Sequence, residues 1–321
     1  MNSFLKTIEL WILFIFFLVI SSCTIESAEE PAEKKLFIAS DYLHEKDSIL
    51  FIDFERKMNI DVQIIPIQTE ELISRLEQQG LNSGIDVIMV KSLYHLHKLN
   101  KHNLLHPIYF EKQLDHQVSA YSSWKFHYVA LGVDPFILAH NPHYSKRFNN
   151  YEDLMRFKFV TALGNSETVP FLSSALRKEN KVNGNIWIKT FCSNSIDINS
   201  TTDSLLMQEV ILTTYSDFKK NNFTDNRFKN KSSFFPNSNG KGTLFNVRSI
   251  SIVNQAQNYV NAKEFIFFYS KPKRNIELNK EFRTMSVFSN QIECTYYTVS
   301  PEKLVPYYSM VDRVLKKLKN R

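Results

Sequence analysis

Glycine is scarce, with 7 in 321 residues. A loop that wraps a phosphate in backbone amides needs several glycines close together, and neither G-x-G-x-x-G nor G-x-x-x-x-G-K-[ST] occurs, which excludes those nucleotide sites. Cysteine is equally sparse at 3, and the C-x₂₋₄-C pair of a structural zinc site is absent. The hydrolase signatures G-x-S-x-G and H-E-x-x-H are missing too, so no enzyme activity is expected. Positive charge is in excess, at +6, but it is spread along the chain. A nucleic-acid partner would need a basic stripe, and none is expected. The densest cluster, Arg313 to Arg321, reads as the exposed face of a terminal helix whose cations suit the negative end of its dipole. There is no internal repeat.

Apolar residues make up 43% of the chain, enough for a real core, and the length suits two domains of ordinary size. At the N-terminus, Lys6 precedes the apolar run Leu10–Ile20, which is shorter than a comfortable membrane span and has Glu9 at its edge. The run closes on Leu18-Val19-Ile20-Ser21-Ser22-Cys23, which resembles the bacterial lipoprotein processing box: an aliphatic residue three before the cysteine, with small residues between. Residues 1–22 are thus expected to be a signal peptide and Cys23 the lipidation site. The polar stretch 23–35 is expected to be a tether holding the protein to the outer face of a bilayer. Cys192 and Cys294 then remain, either paired in an oxidising envelope or separately buried.

From Leu36 the pattern alternates. Leu36–Ala39 is strand-like and opens into the polar turn Ser40-Asp41-Tyr42-Leu43-His44. Ser48–Lys57 reads as an amphipathic helix on a face of Ile49 and Ile52, widened by Phe51 and Phe54. Strand Asp61–Ile67, a helix from Thr69 as N-cap to Gly80 as stop, strand Asp86–Val90 and a helix capped by Ser92 follow. That helix is expected to end at Leu105-His106-Pro107-Ile108. Such alternation argues an α/β fold with a parallel sheet, whose ligands gather at the carboxyl ends of strands. Trp124–Asn141 reads as one or two strands broken near Asp134-Pro135. Gly164-Asn165-Ser166 is placed to cap a helix over Glu167–Glu179, whose N-terminus could hold an anion. Later elements are a strand at Glu209–Thr214, strands at Thr243–Val247 and Ser249–Val253, a helix at Ala256–Tyr269, a loop at Lys271-Pro272-Lys273 and a last helix at Pro306–Lys319.

The order of these pieces resembles the ferric-iron-binding periplasmic solute-binding proteins of ABC importers. The pieces are FIASDYLHEKDSILFIDFERKMNIDVQII, ELISRLEQQGLNSGIDVIMVKSLYHLHKLNKHNLLHPI, ILTTYSDF and FFPNSNGKGTLFNVRSISI, then NAKEFIFFYSKP and ELNKEF. Phe235-Pro236-Asn237 with Gly240, Gly242 and Asn246 is the most specific of them. The resemblance implies a two-lobed periplasmic-binding-protein fold with crossover strands. Lobe 1 would take 35–135 and 245–295, and lobe 2 136–244 and 296–321. A monomeric, lipid-anchored receptor on the extracytoplasmic face would hold iron(III) between its lobes and deliver it to a permease and its ATPase.

The family builds its iron site on a tyrosine pair after the strand matching Val210–Thr214, and here Tyr215 matches the first while Ser216 stands at the second. Further ligands come from the loop after the first strand, here Tyr42 or His44, and from a position near His140. An acidic ligand of some members falls near Lys91, which cannot replace it. Asp41, Ser216 and Asn246 are candidate ligand contacts. Fe(III) is a hard cation served best by anionic oxygen, and a coordinated tyrosine must lose its proton to it. One phenolate with imidazoles would suit a softer divalent metal or a looser site. The histidines of 95–116 read as a solvated helix rather than a zinc or nickel patch. The alternative function is a lipid-anchored binding protein for a small organic ligand such as a polyamine or thiamine-like compound, with Trp124, Phe136 and Tyr215 lining an apolar pocket.

Overall fold

The computed structural model describes residues 34–109, 122, 127–142, 150–179, 184–200, 210–221, 226, 228, 231–236, 242–288 and 301–319. The expectations for the signal peptide, the tether, Cys23, Trp124, Asn237, Gly240 and Cys294 lie outside those residues. Among those described, no helix is long and apolar enough to cross a membrane.

The first half alternates as the pattern predicts: β1 (Lys35–Ser40), a 3₁₀ turn over Glu45–Phe51 running into α1 (Ile52–Met58), β2 (Asp61–Pro66), α2 (Thr69–Gln79), β3 (Val87–Val90), α3 (Leu93–Lys101) and β4 (Leu105–His106). β1 pairs in parallel with both β2 and β3, and β3 is buried along its whole length, as a strand covered on two faces should be. β2 is the outer strand of the sheet, where Pro66 costs no ladder bond. Ser92 caps α3 by accepting from the Tyr94 amide at 3.2 Å.

Three local readings change. Ile49 and Ile52 face outward, at 68% and 36% exposed, while Phe51 and Phe54 are fully buried. The two rings pack edge-on against Phe265, Phe268 and Tyr269 at 5.0 to 5.6 Å between centroids, and that aromatic cluster, richer in buried area than two isoleucines, sets the helix rotation. Thr69 is the first helical residue rather than the cap, and Gln68 stands in extended conformation before it. Leu105–His106 ends no helix; it is a strand paired with Ile252 and Val253.

The second half holds β5 (Val129–His140), β6 (Phe159–Thr161), α4 (Asn165–Glu179), α5 (Gly184–Asn194), β7 (Ser195–Asp197), β8 (Ile211–Thr214), α6 (Tyr215–Asn221) and β9 (Ser232–Phe234). Then come β10 (Phe245–Val253), α7 (Tyr259–Tyr269), α8 (Pro272–Glu281), β11 (Met285–Ser286) and α9 (Val305–Lys319). Pro272 opens α8 instead of a loop, because a helix's first residue needs no amide donor.

β5 and β10 join the halves. β5 is one unbroken 12-residue strand. From Val129 to Pro135 it pairs with β10, and from Phe136 to Ala139 with β8. Asp134-Pro135 is where the strand changes partner, so the donor that proline lacks falls at the seam, and the Phe136 amide is satisfied by the Leu244 carbonyl at 2.9 Å. β10 is likewise one strand, carrying a register shift at Arg248/Ser249 that leaves Leu131 of β5 unmatched. The Leu131 carbonyl is taken by Asn275 and Asn279 of α8 at 2.7 and 2.8 Å. Gly132 makes this possible, since a Cβ there would lie 1.9 Å from the Asn279 amide oxygen.

One core gathers β1–β3, α1, α7 and the Val129–Val133 half of β5; another gathers Phe136, Leu138, α4, α5 and Leu304, Tyr308 and Val311 at the C-terminal end. The fold is α/β and two-lobed with crossover strands, as the order of the pieces implies.

Candidate functional site

The carboxyl ends of β1, β3 and β8 and the loop after β6 deliver the polar residues near the crossover. The floor there is a buried charge network. Asp134 is 4% exposed; its carboxylate accepts from the Ser216 amide at 2.9 Å and from the Ser216 hydroxyl at 2.5 Å. Arg248 of β10 donates to the same hydroxyl at 2.9 Å and lies 3.5 Å from Asp134. Its guanidinium covers the rings of Tyr42 and Phe282 at 4.9 and 5.7 Å. Burial pushes the Asp134 carboxyl above the ordinary carboxylate range, against the pull of Arg248. β5, β10 and α6 therefore meet on one serine hydroxyl.

The predicted residues separate on this frame. Tyr215 is the first residue of α6, directly after β8, half-buried against Phe235 at 5.8 Å with the Lys219 ammonium 5.2 Å from its ring centre. The Tyr42 hydroxyl is buried and has no hydrogen-bond partner; burial raises its pKa further above the usual phenol value, Arg248 opposing. His44 is exposed. The Asp41 carboxylate accepts from the Lys91 amide at 3.1 Å and pairs with the His95 ring, so it is already engaged. Ser216 is engaged likewise, and Asn246 is buried in register with Asp134.

His140 does not join the group. It pairs with Ser232 beyond the start of β8, whereas Tyr215 follows the other end, where Thr214 faces Phe136. Five residues of strand put it about 17 Å along the sheet from the seam. Phe136 is fully buried in the core. The histidines of α3 and after it diverge: His95 goes to Asp41, His102 to Glu77, and His106 to the Pro107 carbonyl. Among the described residues no group of three His, Cys, Asp or Glu could hold a metal.

One residue that sequence reasoning did not assign to the site stands out here. Glu167, in the first turn of α4, is 3% exposed, and Lys91, directly after β3, forms an ion pair with it. Asp134 and Arg248 are also central, and a signal for them existed: each is a lone ionisable residue inside an apolar strand, which burial tolerates only when paired. Beside the His95–Asp41 pair, a cavity of about 430 Å³ opens between Glu70 of α2, Tyr94 and Lys98 of α3, Ser166 of α4, and Asp312 and Lys316 of α9. Its carboxylates are matched, Lys98 reaching Glu70 at 2.6 Å and Lys316 reaching Asp312 at 2.8 Å.

No protein-family model matches the sequence. A curated relative, iron uptake protein A1 of Synechocystis sp., is 22% identical over 90% of this chain and 88% of its own length. Solved structures share the fold. A Trichodesmium protein (IdiA, FutA) in complex with iron and citrate superposes with a TM-score of 0.74 at 16% identity, covering 88% of this chain and 98% of that one. The ferric binding protein of Campylobacter jejuni gives 0.74 at 18% identity over the same shares. Iron-bound HitA from Pseudomonas aeruginosa gives 0.69 at 12% identity, over 88% and 99%.

Proposed function

We propose that this chain is an extracytoplasmic solute-binding protein that takes up iron(III) between its lobes and presents it to the permease and ATPase of an ABC importer. The observation that carries the reading is the pair of crossover strands, with a tyrosine placed directly after β8 beside the seam. The relatives named for iron uptake and ferric binding support the choice of cargo. The lobe division is 35–135 with 245–295 against 136–244 with 296–321, so β5 and β10 act as the hinge.

Tyr215 is the phenolate donor of lobe 2. Lobe 1 answers with the Ser40–His44 loop, where Tyr42 and His44 remain as donors once Asp41 is engaged by His95 and Lys91. Ser216 and Asn246 serve the hinge, not the cargo. A tyrosine held by Fe(III) binds deprotonated, and the cation supplies the energy that the buried phenol lacks. With one tyrosine of the pair replaced, the protein binds iron more weakly than a two-phenolate site would.

Metal analysis and native mass spectrometry of protein purified without chelators test this. One iron per chain is expected. A bound organic molecule and no metal would replace the cargo while leaving the two-lobed receptor standing. Lipid attachment at Cys23 completes the proposal: Cys23→Ala should release the protein from the membrane fraction or leave it uncleaved. Unchanged processing and membrane association would reject the anchor.

A further inference from the structure

Lys91 follows β3 and its amide is tied to Asp41 at 3.1 Å, so its backbone is fixed to lobe 1. Its side chain crosses to lobe 2 and pairs with Glu167. The Glu167 carboxylate is shaped by its own lobe. One oxygen accepts from the Ser166 hydroxyl at 3.1 Å, and a Cβ at Gly164 would sit 2.8 Å from that oxygen, so glycine leaves room for the carboxylate to fold back over the loop. Glu167 is 3% exposed and Lys91 supplies its counter-charge. Burial works against the Lys91 charge, but Glu167, then Asp217 and Asp41, more than offset it and hold the ammonium above its ordinary pKa. A protein cation therefore pairs with a carboxylate of α4, while the backbone that carries it is tied to the loop after β1.

We propose that Lys91 is a built-in counter-cation that closes the cargo-free lobes through Glu167 and competes with the incoming metal ion for that carboxylate. Cargo specificity follows from this competition. A cation must hold Glu167 better than a monovalent ammonium does, which a trivalent ion does and a divalent ion does less well. The metal arm rests on the receptor reading above; the closure arm does not.

The test compares the parent with Lys91→Gln, Lys91→Arg, and Lys91→Gln combined with Glu167→Gln. Small-angle X-ray scattering reads lobe closure in metal-free protein, and titrations with ferric nitrilotriacetate and with terbium(III) read affinity. Lys91→Gln should expand the metal-free protein and bind a trivalent ion at least about tenfold more tightly. Lys91→Arg should match the parent, and the double variant should lose the gain. If Lys91→Gln gains terbium affinity while no protein takes up iron, the Lys91 assignment holds and the iron reading falls. If Lys91→Gln stays as compact as the parent, or its affinity for both ions stays within twofold, the proposal is overturned.

Discussion

Replacing Arg248 by methionine tests the hinge network. The substitution keeps the bulk of the side chain over Tyr42 and Phe282 but removes the only cation hydrogen-bonded to the Asp134–Ser216 pair among the described residues. Breaking a buried ion pair from one side costs about 3–5 kcal/mol, because the surviving charge is left without compensation. At roughly 2–4 °C per kcal/mol for lobes of this size, the melting temperature should fall by about 6–20 °C at pH 8. The pH dependence is the sharper part. Burial already raises the Asp134 carboxyl above its ordinary value, with Arg248 the chief opposing influence, so Arg248→Met raises it further. A carboxyl whose folded pKa is raised contributes most stability when protonated, below its unfolded pKa, and that contribution is lost as pH rises through the folded pKa. The defect of the variant should therefore be largest at pH 8 and shrink toward pH 5, as protonation of Asp134 increasingly offsets the lost guanidinium. Thermal melts of parent and variant at both pH values measure it. A defect under 1 kcal/mol, or one of equal size at pH 5 and pH 8, would refute the account of the network.

Ser216→Tyr, which supplies the absent second tyrosine, should not create a tighter iron site. It inserts a ring where a 4% exposed hydroxyl links Asp134 to Arg248, and a loss of about 2–4 kcal/mol on melting is expected from overpacking and the broken bonds; higher ferric affinity at parental stability would contradict this. Phe54→Ala should destabilise by about 3–5 kcal/mol, whereas Ile49→Ser should stay within about 0.5 kcal/mol. Urea denaturation separates the two, and similar losses would mean that the orientation described for the turn and helix over 45–58 is wrong.

The strand and helix order was legible because apolar runs, caps and stops punctuate the chain at regular spacing. The connection between lobes was harder to read. Asp134-Pro135 looks like a strand break, since proline removes a ladder donor, yet at a change of partner no donor is needed and β5 runs through. Arg248 hid for a similar reason: a charge between two apolar runs reads as a break, and one long strand was read as two. Tyr215 was placed at a strand end by pattern alone, and β8 ends there. His140 was a candidate through the family resemblance alone, which says nothing of direction along a strand; antiparallel pairing with β8 carries it away from Tyr215. Glu167 went unseen because Gly164-Asn165-Ser166 reads as a helix cap, and only the fold brings Lys91 against it.

The central claim is that Tyr215 binds iron(III) at the crossover. Absorption spectra during titration of metal-free protein with ferric nitrilotriacetate test it most directly. A visible phenolate-to-iron charge-transfer band should grow to one equivalent in the parent and be lost, with weaker binding, in Tyr215→Phe. An unchanged band and affinity in that variant would contradict the claim.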